Sequence, residues 1–377
     1  MYALCSAAAT IYTAPSASWQ SGHAQDCKSC YPGSTPGEAS KTLHAAMTGS
    51  DFPVHGGDLA FATRTYGQPD GGWLDLSTGV NPTPYPVPAE LLTPDVFHRL
   101  PDTAALARLE AIARGAYNVP AGAGLAAVPG SETAIHLLPR LAPAGARAFI
   151  LAPTYSSHTS AWPAATRVTK IDEIPDSTIA ILANPNNPDG RVFAPEALSA
   201  LARRAAWLIV DEAFADVAPG ASLIPTLPEN ALVLRSVGKF YGLAGLRLGF
   251  VVGANGNVAN VAAALGAWAV SGPAIAIGAA VLADTRWREA TRLRLSSEAA
   301  ALRDLLARCD LRVAGGTDLF VLVETDDAHA LHRGLAQRGI WTRAFAEQPS
   351  WLRLGLPGVS FARLESALTD LQSAPRA

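Results

Sequence analysis

Lysine is rare in this chain. Only Lys28, Lys41, Lys170 and Lys239 occur among 29 basic residues, so arginine supplies positive charge almost everywhere. An arginine cannot release its proton and attack a carbonyl, whereas a partly desolvated lysine amine can. Lys239 also has a telling position. An apolar run of strand type from Ala231 ends in Ser236-Val237-Gly238-Lys239, and a glycine-punctuated loop then carries Arg247 into a second apolar run ending at Gly253. Two readings are open for such a lysine: a solvated side chain at a strand end, or an amine that forms a Schiff base.

Other candidates lie upstream in the same kind of place. Asp211 follows the wholly apolar strand Trp207–Val210, and so falls at the carboxyl edge of a sheet, where open α/β sheets bind ligands. Gly130-Ser131-Glu132 opens a helix after strand Leu125–Val128, presenting free N–H groups and a positive dipole end to an anion, although Ser and Thr also cap many ordinary helices. Tyr155 follows strand Ala148–Leu151 and is either a ring for stacking on a flat ligand or a core tyrosine. The turn Asn184–Gly190, after strand Thr178–Leu182, aims amides such as Asn187 at a ligand or simply turns the chain. His55-Gly56-Gly57 is a weak signal, equally a capped glycine turn. Arg343 and Arg353, beside the last strands, are ligand contacts or surface charges.

The elements that must position these groups alternate strand, helix, strand through Gly253. That order predicts an α/β fold, a mostly parallel sheet with helices on both faces. A long amphipathic helix, Thr285–Arg308, leads to a smaller α+β part with strands near 311–313, 319–323, 341 and 352 and helices at 328–338 and 361–371. The expected organisation is an extension over 1–50, a segment 51–95 joining the small domain, a large domain 96–285 and a small domain 286–377.

Composition removes several function classes. Hydrophobic residues make up 49% and charged ones 16%, which predicts globular structure for most of the chain. A net charge of −3 gives no electrostatic case for nucleic-acid binding. The uncharged run Val258–Ala283 is broken by Asn260, Gly266, Gly272, Pro273 and Gly278, and reads as buried helices at a domain or subunit interface, not as a membrane span. With no basic residue before Lys28 the N-terminus makes a poor signal peptide, so a cytoplasmic protein is expected. Residues 1–50 lack periodicity and read as disordered, and Met47 is a candidate start of translation. Cys27 and Cys30 have CxxC spacing, but no second pair completes a zinc site and no redox-type strand and helix surround them.

Taken in order, these pieces resemble the class I/II (fold type I) pyridoxal-phosphate-dependent aminotransferases. In that family a hydroxyl residue precedes the cofactor lysine by three positions, and a Gly-Leu-Arg triplet ends eight positions after it. Ser236, Lys239 and Arg247 fill those places. The resemblance runs from Pro53 to the C-terminus. It implies that Gly130, Ser131 and Glu132, with Ser236 and Arg247, hold the cofactor phosphate. It also implies that Tyr155 stacks on the ring, Asn187 donates to its phenolic oxygen, Asp211 pairs with the ring nitrogen and Lys239 carries the aldehyde. The residue before the lysine, often Ser or Thr in the family, is Gly238; the residue three after the aspartate, often Tyr, is Phe214.

Within the family, the stretches at 55–57, 76–86, 99–102 and 129–141 look like the cobalamin-pathway L-threonine-O-3-phosphate decarboxylases. Related histidinol-phosphate aminotransferases usually carry Tyr-Pro-Asp-Pro where this chain reads Arg99-Leu100-Pro101-Asp102. This implies decarboxylation of L-threonine O-3-phosphate to (R)-1-aminopropan-2-yl phosphate. His55, Gly56, Asn81 and Arg343 would then meet the phosphate or neighbouring groups, and Arg353 the carboxylate. A homodimer with shared sites and no metal is implied too. The rivals are an aminotransferase acting on a phosphorylated amino substrate and a cofactor-sensing regulator. The regulator needs a basic DNA-binding domain, yet residues 1–50 hold two lysines and no arginine.

Overall fold

Among the described residues, thirteen strands and eleven α-helices follow from the alternation of apolar strand runs with amphipathic helical ones. The computed structural model describes residues 52, 53 and 55–373; the CxxC pair and the 1–50 extension lie outside them. In chain order the elements are α1 (Leu59–Tyr66), β1 (Leu74–Asp75), α2 (Asp95–His98), α3 (Thr103–Ala116), β2 (Ala123–Val128), α4 (Ser131–Leu141), β3 (Ala148–Leu151), α5 (Ser156–Ala161), β4 (Thr166–Val168), β5 (Ile179–Ala183), α6 (Pro195–Arg204), β6 (Trp207–Asp211), β7 (Ala231–Ser236) and β8 (Gly249–Ala254). They continue with α7 (Asn255–Leu265), α8 (Gly272–Ala283), α9 (Thr285–Arg308), β9 (Arg312–Thr317), β10 (Phe320–Glu324), α10 (Ala328–Ala336), β11 (Ile340–Trp341), β12 (Arg343–Phe345), β13 (Gln348–Gly355) and α11 (Phe361–Ser373).

Seven strands form one sheet in the order β2-β8-β7-β6-β5-β3-β4. β4, β3, β5, β6 and β7 run parallel, and only β8 opposes its neighbours β2 and β7. The expected mostly parallel sheet is therefore present, and its topology explains where the site lies. Every parallel strand delivers its carboxyl end to one edge, while β8, running the other way, begins there. Gly130, Tyr155, Asn187, Asp211 and Lys239 follow strand ends at that edge. Arg247 joins them because it precedes a reversed strand.

Side chains alternate across the sheet into two buried layers. Leu232 and Leu234 of β7 join Ile135 and Leu138 of α4 and Val258 and Val261 of α7 on one face. Val233 joins α3, α6, α8 and α9 on the other. Arg235 shares the Val233 face and is 3% exposed. Buried charge must be paired, and Arg235 donates to Glu212 at 3.0 Å and Asp216 at 2.7 Å, 4.4 Å above the Tyr117 ring.

The run Val258–Ala283 forms α7 and α8. Helix α8 packs against α3, and Gly278 lets it approach closely: a Cβ there would lie 2.3 Å from Leu248. Its apolar composition is thus used within the chain. Among the described residues no helix is long and apolar enough to cross a membrane.

The second sheet is antiparallel, β12-β13-β10-β9, and β1 pairs in parallel with β11 beside it. In its register Arg343 of β12 lies directly opposite Arg353 of β13. Like charges in that arrangement repel, a cost that an anion between them would offset.

Candidate active site

Lys239 sits just past β7, partly buried, with its Nζ 5.8 Å from the centre of the Phe214 ring. Loss of water around the amine, with Arg353 and Arg247 near, pushes its pKa down to about 8, against the opposing pull of Asp211 and Glu132. About a tenth of the amine is therefore neutral at pH 7, far more than for an ordinary lysine, and the neutral form is the one that attacks a carbonyl.

Asp211, the last residue of β6, is 4% exposed. Its Oδ2 lies 3.0 Å from His158 Nε2, and its Oδ1 accepts from the Ala213 N–H at 3.0 Å. The carboxylate is held in one orientation by partners on two elements. Composition gave no signal for His158, a histidine inside the short helix α5. The clue available was its spacing, one helical turn after Tyr155.

At the start of α4 no side chain caps the helix, and while Thr133 N–H donates to Gly130 O at 3.2 Å, the N–H groups of Ser131 and Glu132 are left for an anion. Gly130 has φ +83° and ψ 150°, and a Cβ on it would lie 2.8 Å from Arg247 Nη2. Gly249 likewise has no room for a side chain, since a Cβ would fall 2.7 Å from Ser131 N. Glycines thus bring the Arg247 guanidinium and the α4 N-terminus together. Ser236 Oγ accepts from Gly238 N–H at 3.3 Å. A Cβ on Gly238 would lie 3.1 Å from Ala244 Cα, so the loop is tight where relatives of the resembled family often have Ser or Thr. Glu132 turns its carboxylate aside to Ser157 at 2.7 Å and His136 at 3.1 Å.

Tyr155 lies between two histidines, 5.6 Å from the His55 ring and 6.2 Å from that of His158. Burial raises the pKa of its hydroxyl and lowers that of His55. Arg353 is 6% exposed, donates to Ser77 O at 2.7 Å and to Asn187 Oδ1, and lies 5.2 Å above the Phe320 ring. With the carbonyl oxygen of Asn187 held by Arg353, its NH2 is the end left to donate. Arg343 donates to Pro53 O beside a cleft lined by His55, Gly56, Ser77, Trp341 and Thr342. Gly56 must be glycine, because a Cβ would meet Ser77 O at 2.2 Å. Burial, reinforced by Arg343, pulls Arg353 down to about 9, and burial pulls Arg343 down to about 10.

Asn81 stands apart from this set. Its Nδ2 donates to Phe240 O at 2.8 Å, while its Oδ1 accepts from Thr83 N and Arg294. Ser77 and Phe320 are contacts that the sequence did not single out, and Phe214, noted there only as a replacement for Tyr, lies beside the Lys239 amine.

Two arginines on paired strands, a lysine of lowered proton affinity and a buried carboxylate come together near the carboxyl edge of this sheet. The chain belongs to the aminotransferase class I and II family, whose sequence model matches residues 73–371. It is 42% identical over 333 residues to a threonine-phosphate decarboxylase of Sinorhizobium sp, covering 85% of this chain and 98% of the relative. A threonine-phosphate decarboxylase of Pseudomonas aeruginosa is also 42% identical, over 83% of this chain and 96% of that protein. The fold matches the crystal structure of histidinol-phosphate aminotransferase from Sinorhizobium meliloti in complex with pyridoxal-5'-phosphate. That match has TM-score 0.69 at 19% identity and covers 86% of this chain and 100% of the other.

Proposed function

We propose that this protein is a pyridoxal-phosphate-dependent decarboxylase of L-threonine O-3-phosphate. It would release carbon dioxide and (R)-1-aminopropan-2-yl phosphate, a building block of cobalamin. The observation that carries the substrate is the pairing of Arg343 and Arg353 on neighbouring strands. A buried guanidinium, Arg353, and a half-buried one, Arg343, suit a ligand with two anionic ends, a carboxylate and a phosphate.

The residues present fit the cofactor. The uncapped α4 N-terminus with Gly130, Ser131, Ser236 and Arg247 would take its phosphate, and the side-chain-free face of Gly130 is what admits the Arg247 guanidinium beside that N-terminus. Lys239 would hold its aldehyde, Asp211 its ring nitrogen, Tyr155 its ring face and Asn187 its phenolic oxygen. When bound, the cofactor supplies an electron sink for the pair left at the substrate's Cα.

The chain's own groups do the rest. Arg353 would grip the carboxylate, while Arg343 and the His55-Gly56 turn anchor the phosphate. Two anchors fix the torsion about Cα, which decides whether the bond to the carboxylate or the bond to hydrogen is placed to break. The carboxylate leaves as carbon dioxide and one proton takes its place on Cα; Lys239 is the group placed to bring it. We further propose a homodimer, supported by the exposed Phe97 and Leu100, 60% and 67% accessible, close to α8, against which α2 packs.

Mass spectrometry of the products from threonine phosphate, with and without an added keto acid, tests the reading. Carbon dioxide with aminopropanol phosphate is expected in both cases. Keto acid and pyridoxamine phosphate without carbon dioxide would identify an aminotransferase instead.

A further inference from the structure

We propose that Asn81 and Arg294 form a splint that positions Lys239, so that Asn81 serves the lysine and does not touch the substrate. The inference rests on Lys239 being the cofactor lysine. Asn81 is 2% exposed, and its donors both point at the lysine loop. Its backbone N–H donates to Lys239 O at 3.0 Å, and its Nδ2 to Phe240 O at 2.8 Å. Its Oδ1 accepts from Thr83 N at 3.0 Å and from Arg294 Nη2 at 2.9 Å. Arg294 projects from α9 and is steadied by Glu298 at 2.7 Å.

The contact continues beyond one residue. Tyr85 N–H donates to Tyr241 O at 2.9 Å, so residues 81–85 run beside 239–241 outside either sheet. Gly242, at φ +70°, closes the loop against them, since a Cβ there would stand 2.6 Å from Pro84 Cα. From the other side, Trp287 of α9 stacks on Tyr241 at 5.7 Å and Arg292 lies 5.6 Å above Phe240. The residues after Lys239 are therefore held on two sides, while the lysine side chain itself extends toward Phe214.

Turning the Asn81 amide toward a substrate would strip Phe240 O of its partner in a buried place, an unfavourable exchange. Held where it is, Asn81 fixes the backbone from which the Lys239 amine projects. That placement sets the distance of the amine from Arg353, Asp211, Arg247 and Glu132, the charged groups that face it. Asn81 and Arg294 are thus positioning residues. Their removal should disturb the lysine's proton affinity and turnover together, and leave substrate binding alone.

The test uses the cofactor-loaded enzyme and follows its visible absorption band across pH, alongside steady-state kinetics with threonine phosphate. Asn81→Ala is expected to move the titration midpoint by about half a pH unit or more and to lower kcat about tenfold with little change in KM. Arg294→Met should move the midpoint the same way by less, and the double variant should fall no further than Asn81→Ala alone. A raised KM with an unmoved midpoint in Asn81→Ala would show a substrate contact and overturn the proposal. If Asn81→Ala does not fold, Arg294→Met decides, since an unmoved midpoint there also overturns it. A wild-type enzyme with no titrating visible band would instead defeat the reading of Lys239 itself.

Discussion

The reactivity proposed for Lys239 rests on two opposing effects on a single proton. Burial and the nearby Arg353 disfavour the ammonium, Asp211 and Glu132 favour it, and the net result is a pKa of about 8. A free lysine titrates near 10.4. Only the neutral amine attacks an aldehyde, so the rate at which cofactor-free protein captures pyridoxal phosphate should climb with pH up to about 8 and level off above it. Stopped-flow absorbance checks this, and a rate that keeps climbing to pH 10 would mean an ordinary lysine. Lys239→Arg preserves the charge and should abolish the visible band altogether. The rarity of lysine made this residue legible in the sequence. His158 was not legible, because a histidine in a short polar helix carries no pattern until its partner Asp211 is seen across the sheet edge. Asn81 was legible through the family resemblance, which implied a substrate contact; its two distant partners, Phe240 and Arg294, lie 159 and 213 residues away and belong to tertiary structure.

At the scale of elements, the strand ends were readable because each apolar run stops where turn residues begin. β6 extends one residue beyond its apolar run, since Asp211 still pairs with Leu234 and Ala183. The register of the second sheet was not readable, and with it the apposition of Arg343 and Arg353. The loop from β2 into α4 is the element most dependent on one residue. Gly130 occupies a backbone region that is nearly glycine-only, and forcing another residue there costs about 1–3 kcal/mol. Gly130→Ala should therefore lower stability and, by pressing on Arg247, weaken cofactor binding about tenfold or more. Gly145→Ala provides the control. Its φ of +75° is also in the left-handed region that favours glycine, but nothing lies within 4 Å of the added Cβ. Cofactor titration of both variants separates the effects: comparable losses of melting temperature, with affinity lost only in Gly130→Ala. Equal affinity in the two would mean that the α4 N-terminus does not hold the phosphate.

Over the whole molecule, the site is completed where the two sheets meet. The turn carrying Asn187 lies backbone against backbone on β9: Gly316 N–H donates to Asp189 O at 3.0 Å. A Cβ on Gly190 would stand 2.0 Å from Gly316 O, and one on Gly315 would stand 2.0 Å from Asp189 O. No side chain separates the turn carrying Asn187 from β9 at this point. Arg353 crosses the same junction, donating to Ser77 O and Asn187 while its strand pairs with β10 and β12. Its planar fork satisfies those two acceptors and, in the proposed role, would fix the direction in which a carboxylate is met. A lysine at 353 would keep a positive charge but has no fork with which to hold both partners and a carboxylate in one geometry. Arg353→Lys should leave the visible cofactor band and the melting temperature near those of the parent. It should lower kcat/KM for carbon dioxide release by about 100-fold, or about 2.7 kcal/mol of transition-state stabilisation. Because the carboxylate torsion would no longer be fixed, a larger share of turnovers should end as keto acid. Measuring both products per turnover checks this, and a variant that loses cofactor in step with activity would place Arg353 with the cofactor and not the substrate.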